Sequence, residues 1–450
     1  MKELIQTLQN IFKIPELKTR ILYTILLLGV FRLGTFITLP GIDSIRLQAA
    51  FESGGQGLLD LFNTFLGGAF ARGSILALGI MPYISASIVV QLLGAVVPAI
   101  QKLRMEGESG HKKMNQITRY LTVAITLFQS STYVVYLRQT YPEAMFAGNS
   151  PFFWVTSICI LTAGTMFLVW LGERITDNGI GNGVSLLIMI GIIAGFPSAI
   201  IQEASSSLPM VFFIEILILG VVTMAVVALT KAVRKIPINY ARQMANNRLG
   251  QMGRGNAARQ YIPLKVNSAG VMPIIFAQAI MFLPATLGGF AGENTQAFLG
   301  SVFSNYTGLW YNVIFFFLII VFTYFYTAIT VNPNEIADQL KRNGGFIPGI
   351  KPGKRTANYI DNILSKITLP GSIFLAFVSI FPAIAMRMNV TSGFAQYFGG
   401  TTLLIMIGVI LDTLQQIESY LLMRHYDGLM KSGRVKGRNR RSADLAGASK

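Results

Sequence analysis

Apolar runs, each about as long as a bilayer is thick, follow one another along nearly the whole chain. A hydrocarbon core of about 30 Å needs roughly 20 apolar residues per helix. Ten runs come close to that length: Ile21–Pro40, Ser74–Pro98, Arg119–Leu137, Phe152–Leu171, Gly183–Ala199, Leu208–Thr230, Asn267–Leu287, Gly308–Val331, Ile367–Ala385 and Thr401–Met423. The pattern predicts an all-α membrane protein with ten transmembrane helices, five in each half. With five spans per half, the second half enters from the opposite side, so an internal repeat is inverted. One repeat is visible. GIMPYI at Gly79–Ile84 returns as GVMPII at Gly270–Ile275, in the second span of each half. Pro at equal depth in two related helices predicts a kinked pair facing each other, and repeat-built membrane folds place functional sites between such discontinuous elements. Gly and Ile are abundant here, so the echo taken alone is also compatible with chance.

Other segments break the rhythm of spans. Leu58–Phe70 (LLDLFNTFLGGAF) is apolar but about 20 Å long as a helix, too short to cross. Gly54, Gly55 and Gly57 precede it, Gly67, Gly68 and Gly73 follow, and Asp60, Asn63 and Thr64 give it a polar stripe. It reads either as a short helix folded back into a protein-lined cavity or as an interfacial helix on the outer leaflet. Two connections, 232–266 and 332–366, are far longer than the usual ~4–6 residues. The first sets β-like flanks, KIPINYARQ and QYIPLKV, around a turn-rich tip and predicts a protruding hairpin. The second predicts a helix ending at Gly344–Gly345, a Pro/Gly turn, then another helix. Protrusions of this size favour partner docking over plain linkers.

Composition and charge narrow the class. The chain has 450 residues, is 52% hydrophobic and 13% charged, and carries a net charge of +17. If the N-terminus shares a side with residues 101–119, 172–182, 231–265, 332–366 and 424–450, that side holds 32 of the 37 Lys and Arg. The imbalance puts both termini in the cytoplasm. The charge suits anionic lipid headgroups, ribosomal RNA or an acidic partner. LIQTLQNIF near the N-terminus is too short and polar for a cleaved leader. The single Cys159 allows no internal disulfide, and His111 and His425 lack neighbouring ligands. No nucleotide loop, metal triad or paired carboxylates are recognisable, so no enzyme activity and no cofactor are expected. A solute transporter or a non-conducting scaffold stays open at this level. Arg32 and Asp412 are intramembrane charges, functional candidates by default, with a structural ion pair as the alternative.

Longer motifs then point to one family. GGAFARGSILALGIMPYISASIVVQLL, GIGNGVSLLI, IPLKVNSAGVMPIIFA, GGFIPGIKPGKRTANYID and FGGTTLLI, in this order, resemble the signature segments of the bacterial SecY family, the SecY/Sec61 alpha pore subunits of the Sec protein translocase. The resemblance runs from RLGTFITLPGI to the tail after Met423. It implies a clamshell of two inverted five-helix halves, 21–200 and 201–423, around a central pore and hinged near Phe196–Leu208. Segment 1–20 is then a cytoplasmic amphipathic stretch and 424–450 a basic tail.

By the same resemblance, a ring of apolar side chains constricts the pore: Ile80, Ile84, Ile188, Ile192, Ile275 and Ile405. Residues 58–70 correspond to a plug below it, with Leu58, Asp60, Phe62, Asn63, Thr64, Phe65, Gly67 and Gly68 as its members. Spans two and seven form a lateral gate into lipid, with Ser85, Ser87, Gln91, Gln129 and Gln278 as its contacts. Gln278 departs from the smaller polar residue expected there. The basic loops match those that dock the ribosome or the motor ATPase SecA, through Arg242, Arg248, Arg254, Arg259, Lys351, Lys354 and Arg355. Lys351 stands where the bacterial pattern usually has Arg, so charge is kept and the bidentate fork lost. The companion subunits SecE and SecG, signal peptides, nascent chains and anionic lipids are the further implied partners. The implied location is the bacterial inner membrane.

Overall fold

The computed structural model describes residues 14–53, 58–146, 151–240, 260–288, 302–303, 307–388 and 390–431. Its helices are α1 (Pro15–Gly34), α2 (Ser44–Ser53), α3 (Leu58–Phe65), α4 (Met81–Val96), α5 (Pro98–Met105), α6 (Glu108–Thr140), α7 (Pro151–Asn178), α8 (Gly183–Ser206) and α9 (Pro209–Lys231). After a hairpin, β1 (Val233–Tyr240) and β2 (Gln260–Lys265), come α10 (Met272–Gly288), α11 (Leu309–Thr330), α12 (Pro333–Arg342), β3 (Gly345–Phe346), α13 (Lys354–Arg387), α14 (Ser392–Ala395) and α15 (Gly400–Lys431). By length and composition, 7 described helices can cross a membrane, and α4 and α10 contain shorter apolar segments. With the 20-residue α1, they correspond to the ten expected spans. The chain is a multi-pass membrane protein. On α9 only Glu215 and Val226 are buried, while Met210, Phe213, Leu217 and Met224 point outward. Such a surface suits lipid, not water.

Several boundaries differ from the sequence reading. The first span stops at Gly34 because the chain then turns to pair with the segment that precedes α4. Leu39 N–H donates to Gly73 O at 2.8 Å and Ile75 N–H to Ile37 O at 2.9 Å. The second span starts at Met81, not Ser74, and the seventh at Met272, not Asn267. Pro82 and Pro273 therefore occupy the second helical position of α4 and α10 and kink neither. A missing N–H costs nothing in the first turn, where that donor has no helical acceptor. The echoed Gly79 and Gly270 lie at φ 57 and 62, left-handed backbone that glycine adopts without strain. The repeated motif is thus a helix start, used twice. The connection between α8 and α9 is only Ser207–Leu208, much shorter than Phe196–Leu208, because α8 runs on to Ser206 and Pro209 opens the next helix.

Polar side chains within the spans are mostly satisfied by their own helix. On α6, Thr118, Thr122, Thr126 and Ser130 are buried, and each hydroxyl donates to the carbonyl four residues earlier. A stripe of small residues lets neighbouring helices approach closely, and the back-bonds leave no hydroxyl unpaired. α6 packs between α4 and α7 accordingly. The end of α8 is tied differently: the carboxylate of buried Glu203 accepts from the backbone N–H and the hydroxyl of Thr391.

The two long connections form one body instead of two separate protrusions. β1 and β2 pair antiparallel, with Ile236 opposite Ile262. β3 adds to the other edge of β1 through Asn239–Phe346 and Tyr240–Gly345, giving strand order β2-β1-β3. The protein is therefore not purely α. Ile236, Ile238, Leu264, Leu340, Ile347, Ile360 and Leu364 form its separate apolar core. Truncating Ile360, fully buried at 0% exposure, to Ala should cost about 2–5 kcal/mol. The loss should appear as faster amide exchange in β1–β3, with protection of α4 and α10 unchanged.

Candidate functional site

α4, α8, α10 and α15 converge on one apolar centre. Each brings Ile to it: Ile80 and Ile84, Ile188 and Ile192, Ile275, and Ile405, all buried in one cluster. Ile80 caps the start of α4, and its carbonyl accepts from Ile84 N–H at 3.1 Å. In α10, Val271 O accepts from Ile275 N–H at 3.3 Å, the same device at the repeated position. Ile80, Ile84, Ile188, Ile275 and Ile405 line a common cavity of about 30 Å³. Ile192 lies just outside that lining, at 0% exposure. Room for one water takes about 10–15 Å³, so this centre is closed to anything as large as a polypeptide.

Phe65 and Leu66, at the end of α3, cover the same cavity. α3 is 8 residues long, not the 13 of Leu58–Phe70, because Gly67 and Gly68 leave the helix at φ 62 and 87. The segment is folded back against protein: a Cβ on Gly191 of α8 would lie 2.2 Å from Phe65 O, and one on Gly79 would lie 2.0 Å from Leu66 Cδ2. The described side chains from Phe62 to Phe70 are buried or half-buried against protein, which favours the folded-back reading over an interfacial helix. Phe62 and Phe65 are buried, and Asn63 turns inward to accept from Ala71 N–H at 3.0 Å. Arg32 Nη1 donates to Gly67 O at 2.8 Å, and Tyr133 OH to Phe70 O at 2.9 Å. Thr64 is half-buried. The side chains of Leu58 and Asp60 lie outside the described residues.

α4 and α10 pack directly on each other. Of the polar residues expected along this seam, Gln278 and Gln129 are buried and Ser85, Ser87 and Gln91 half-buried. No hydrogen bond joins any two of them across helices; Gln91 Nε2 donates to Ser87 Oγ on its own helix at 3.1 Å. Gln278 reaches the central cavity and a second one of about 30 Å³ behind it, beside Tyr311, Ser379 and Thr402. The seam is held by apolar contact.

At the far end of α13, Lys351, Lys354 and Arg355 are all exposed. Thr356 Oγ1 donates to Lys351 O at 3.0 Å and fixes their turn. Arg242, Arg248, Arg254 and Arg259 lie outside the described residues. Asp412 is exposed and feels the charge of Lys265 without a close ion pair. Among the described residues no group of three or more metal-ligating side chains comes together.

Sequence reasoning missed Phe31, Leu168 and Leu187, which also line the cavity. Nothing distinguishes them from other apolar residues in spans. It missed Gly191 as the seat of α3, although a small residue between Ile188 and Ile192 is a readable signal. Tyr397 was missed too; its OH donates to Ile192 O at 3.0 Å and steadies α8 beside the apolar centre.

Known proteins of similar sequence and shape agree with this architecture. The protein translocase subunit SecY of Thermotoga maritima is 39% identical over 443 residues, covering 96% of this chain and 99% of that one. A structure of a protein-conducting channel aligns with TM-score 0.63 and 16% identity over 89% of this chain and 92% of its own. Sec61 in a canine ribosome–channel complex from the endoplasmic reticulum aligns with TM-score 0.60 and 16% identity over the same shares, 89% and 92%. The SecY family model matches residues 74–414 as well, a range that includes all six Ile of the apolar centre, and the chain belongs to the SecY family.

Proposed function

We propose that the protein is the pore subunit of a protein-conducting channel. It passes unfolded secretory chains across the bacterial inner membrane and releases transmembrane segments sideways between α4 and α10. The observation that carries this reading is the Ile-lined cavity of about 30 Å³ sealed by Phe65 and Leu66. A narrow ring without hydrogen-bonding groups dewets and resists ions. It also has no preference among passing side chains, and stiff β-branched rotamers keep its shape. The relative named protein translocase subunit SecY supports the same reading. A solute transporter would bury polar or ionisable groups at such a centre; here the collar is Ile.

In this reading the two halves, expected as 21–200 and 201–423, divide at Ser207–Leu208, since α8 runs on to Ser206, and segment 58–70 is the plug. The channel is passive, driven by SecA or by the translating ribosome. Both termini, the amphipathic segment 1–20 and the basic tail 424–450, are cytoplasmic, and anionic lipid is a partner of the protein. SecE and SecG are the companion subunits. The sheet body with Lys351, Lys354 and Arg355 docks the motor or ribosome, and the ribosome-bound Sec61 of similar fold supports the latter. Among the described residues no hydrogen bond joins the Ser and Gln side chains of the seam across helices, so a signal peptide parts it mainly against packing.

The direct test replaces exposed Cys159 by Ser and places single Cys residues at Ile84 or Ile275. A secretory chain bearing its own Cys, stalled during export, should crosslink there and not at lipid-facing controls. Reaction at the controls with silence at Ile84 and Ile275 returns the transporter and scaffold readings. Gly191→Val should unseat the plug: overpacking costs about 1–3 kcal/mol, so the unseated fraction rises roughly tenfold. Planar-bilayer recordings should then show larger ion leakage. Reversing Lys351, Lys354 and Arg355 together to Glu should weaken ribosome or SecA binding about tenfold and flatten its salt dependence. Unchanged binding removes this turn from the docking surface.

A further inference from the structure

The mechanism above makes no use of a second guanidinium beside Arg32. Arg32 Cζ lies 5.0 Å and Arg72 Cζ 4.5 Å from the centroid of one ring, Phe36. The two cations feel each other's charge. Neither is within ion-pair distance of a carboxylate among the described residues. Arg32 spends Nη1 on Gly67 O at 2.8 Å, whereas the buried Nη1 of half-buried Arg72 has no hydrogen-bond partner. Two like charges on one aromatic ring, with a desolvated donor left over, form a site lacking its anion.

The position says which anion. Leu22, Ile25, Leu26 and Leu33 of α1 are exposed at helical spacing, a single lipid-facing stripe, and exposed Phe36 follows in the turn just beyond it. Arg20, at the other end of α1, stacks on Tyr420. Arg32 is about 18 Å further along the helix axis, at the end of the span opposite Arg20, where long cationic side chains direct their heads toward the interface. The planar guanidinium fork matches phosphate oxygens two at a time.

The geometry points to a phospholipid-phosphate site formed by Arg32 and Arg72 around Phe36, on the face away from the basic sheet body. Arg32 holds Gly67 and Arg72 lies on the turn leading out of the plug, so a bound lipid clasps the plug turn to α1. The lipid then acts as a removable part of the closed seal, a role beyond the channel activity itself.

Native mass spectrometry of the full chain in its membrane complex, titrated in mild detergent with phosphatidylglycerol, tests this. Wild type should retain one lipid that Arg72→Gln holds roughly tenfold or more weakly, as expected for a lost charge-assisted contact. Arg72→Lys should fall between them. Arg46→Gln, at an exposed outer position, should match wild type and controls for net charge. Equal retention in Arg72→Gln and wild type overturns the proposal. So does displacement of the lipid by millimolar inorganic phosphate, which marks a free-anion site. Loss of a companion polypeptide from Arg72→Gln in place of lipid also overturns it, since a protein carboxylate is then the occupant.

Discussion

Backbone groups in an apolar environment must be paired, and the whole central architecture answers to that requirement. The stretch from Leu66 to Ile80 is neither helix nor strand, yet most of it is buried. An unpaired peptide group there costs several kcal/mol. Its carbonyls and amides are met one by one: by Arg32 at Gly67, Tyr133 at Phe70, Asn63 at Ala71, and the Ile37–Leu39 segment at Gly73 and Ile75. Only because these partners come from α1 and the turn after it, from α3 and from α6 can a broken chain lie at this depth. The starts of α4 and α10 are placed by the same economy, since a helix opening on Pro leaves fewer donors to satisfy.

Polar pairing fixes the irregular segment, but apolar packing alone closes the centre. Phe65 and Leu66 rest on a floor made possible by Gly191 and Gly79, where no side chain stands in the way. Along α4 and α10 the Ser and Gln side chains do not bond across. Specific hydrogen bonds give direction and resist sliding; dispersion contacts among Ile side chains do not. The closed arrangement is thus well defined in shape and weakly specified in chemistry, which suits a barrier that must give way to many different sequences.

Much of this was legible in the residues, for reasons tied to particular elements. Span count follows from apolar length, and the hairpin follows from β-branched flanks around a Gly/Asn-rich tip. The six Ile that meet at the centre were singled out only through the family resemblance, because a single Ile in a span carries no mark of its own. Pro82 and Pro273 were misread as kinks because Pro has two tolerated uses in a helix, interior bend and first turn, and hydrophobicity continues smoothly across the true start. The two-residue β3 was invisible: its pairing with Asn239 and Tyr240 joins segments about a hundred residues apart and leaves no local period. Arg32 stood out as an intramembrane charge, but its acceptor, a glycine carbonyl, has no sequence signature.

α13 belongs to both worlds of the protein at once. Ile360 and Leu364 are part of the core beneath the sheet, while Leu375 and Ala376 belong to the cluster that surrounds the collar. The two ends are turns of the same helix, about 22 Å apart from Ile360 to Leu375. No loop lies between them to absorb displacement. A push on the sheet body is therefore delivered along a rod, as a rotation or a thrust, and its one compliant joint is Pro370, inside the helix between the two cores. The stiffness of that joint, more than the strength of any contact at either end, sets how much mechanical work done at the basic surface reaches the centre of the membrane.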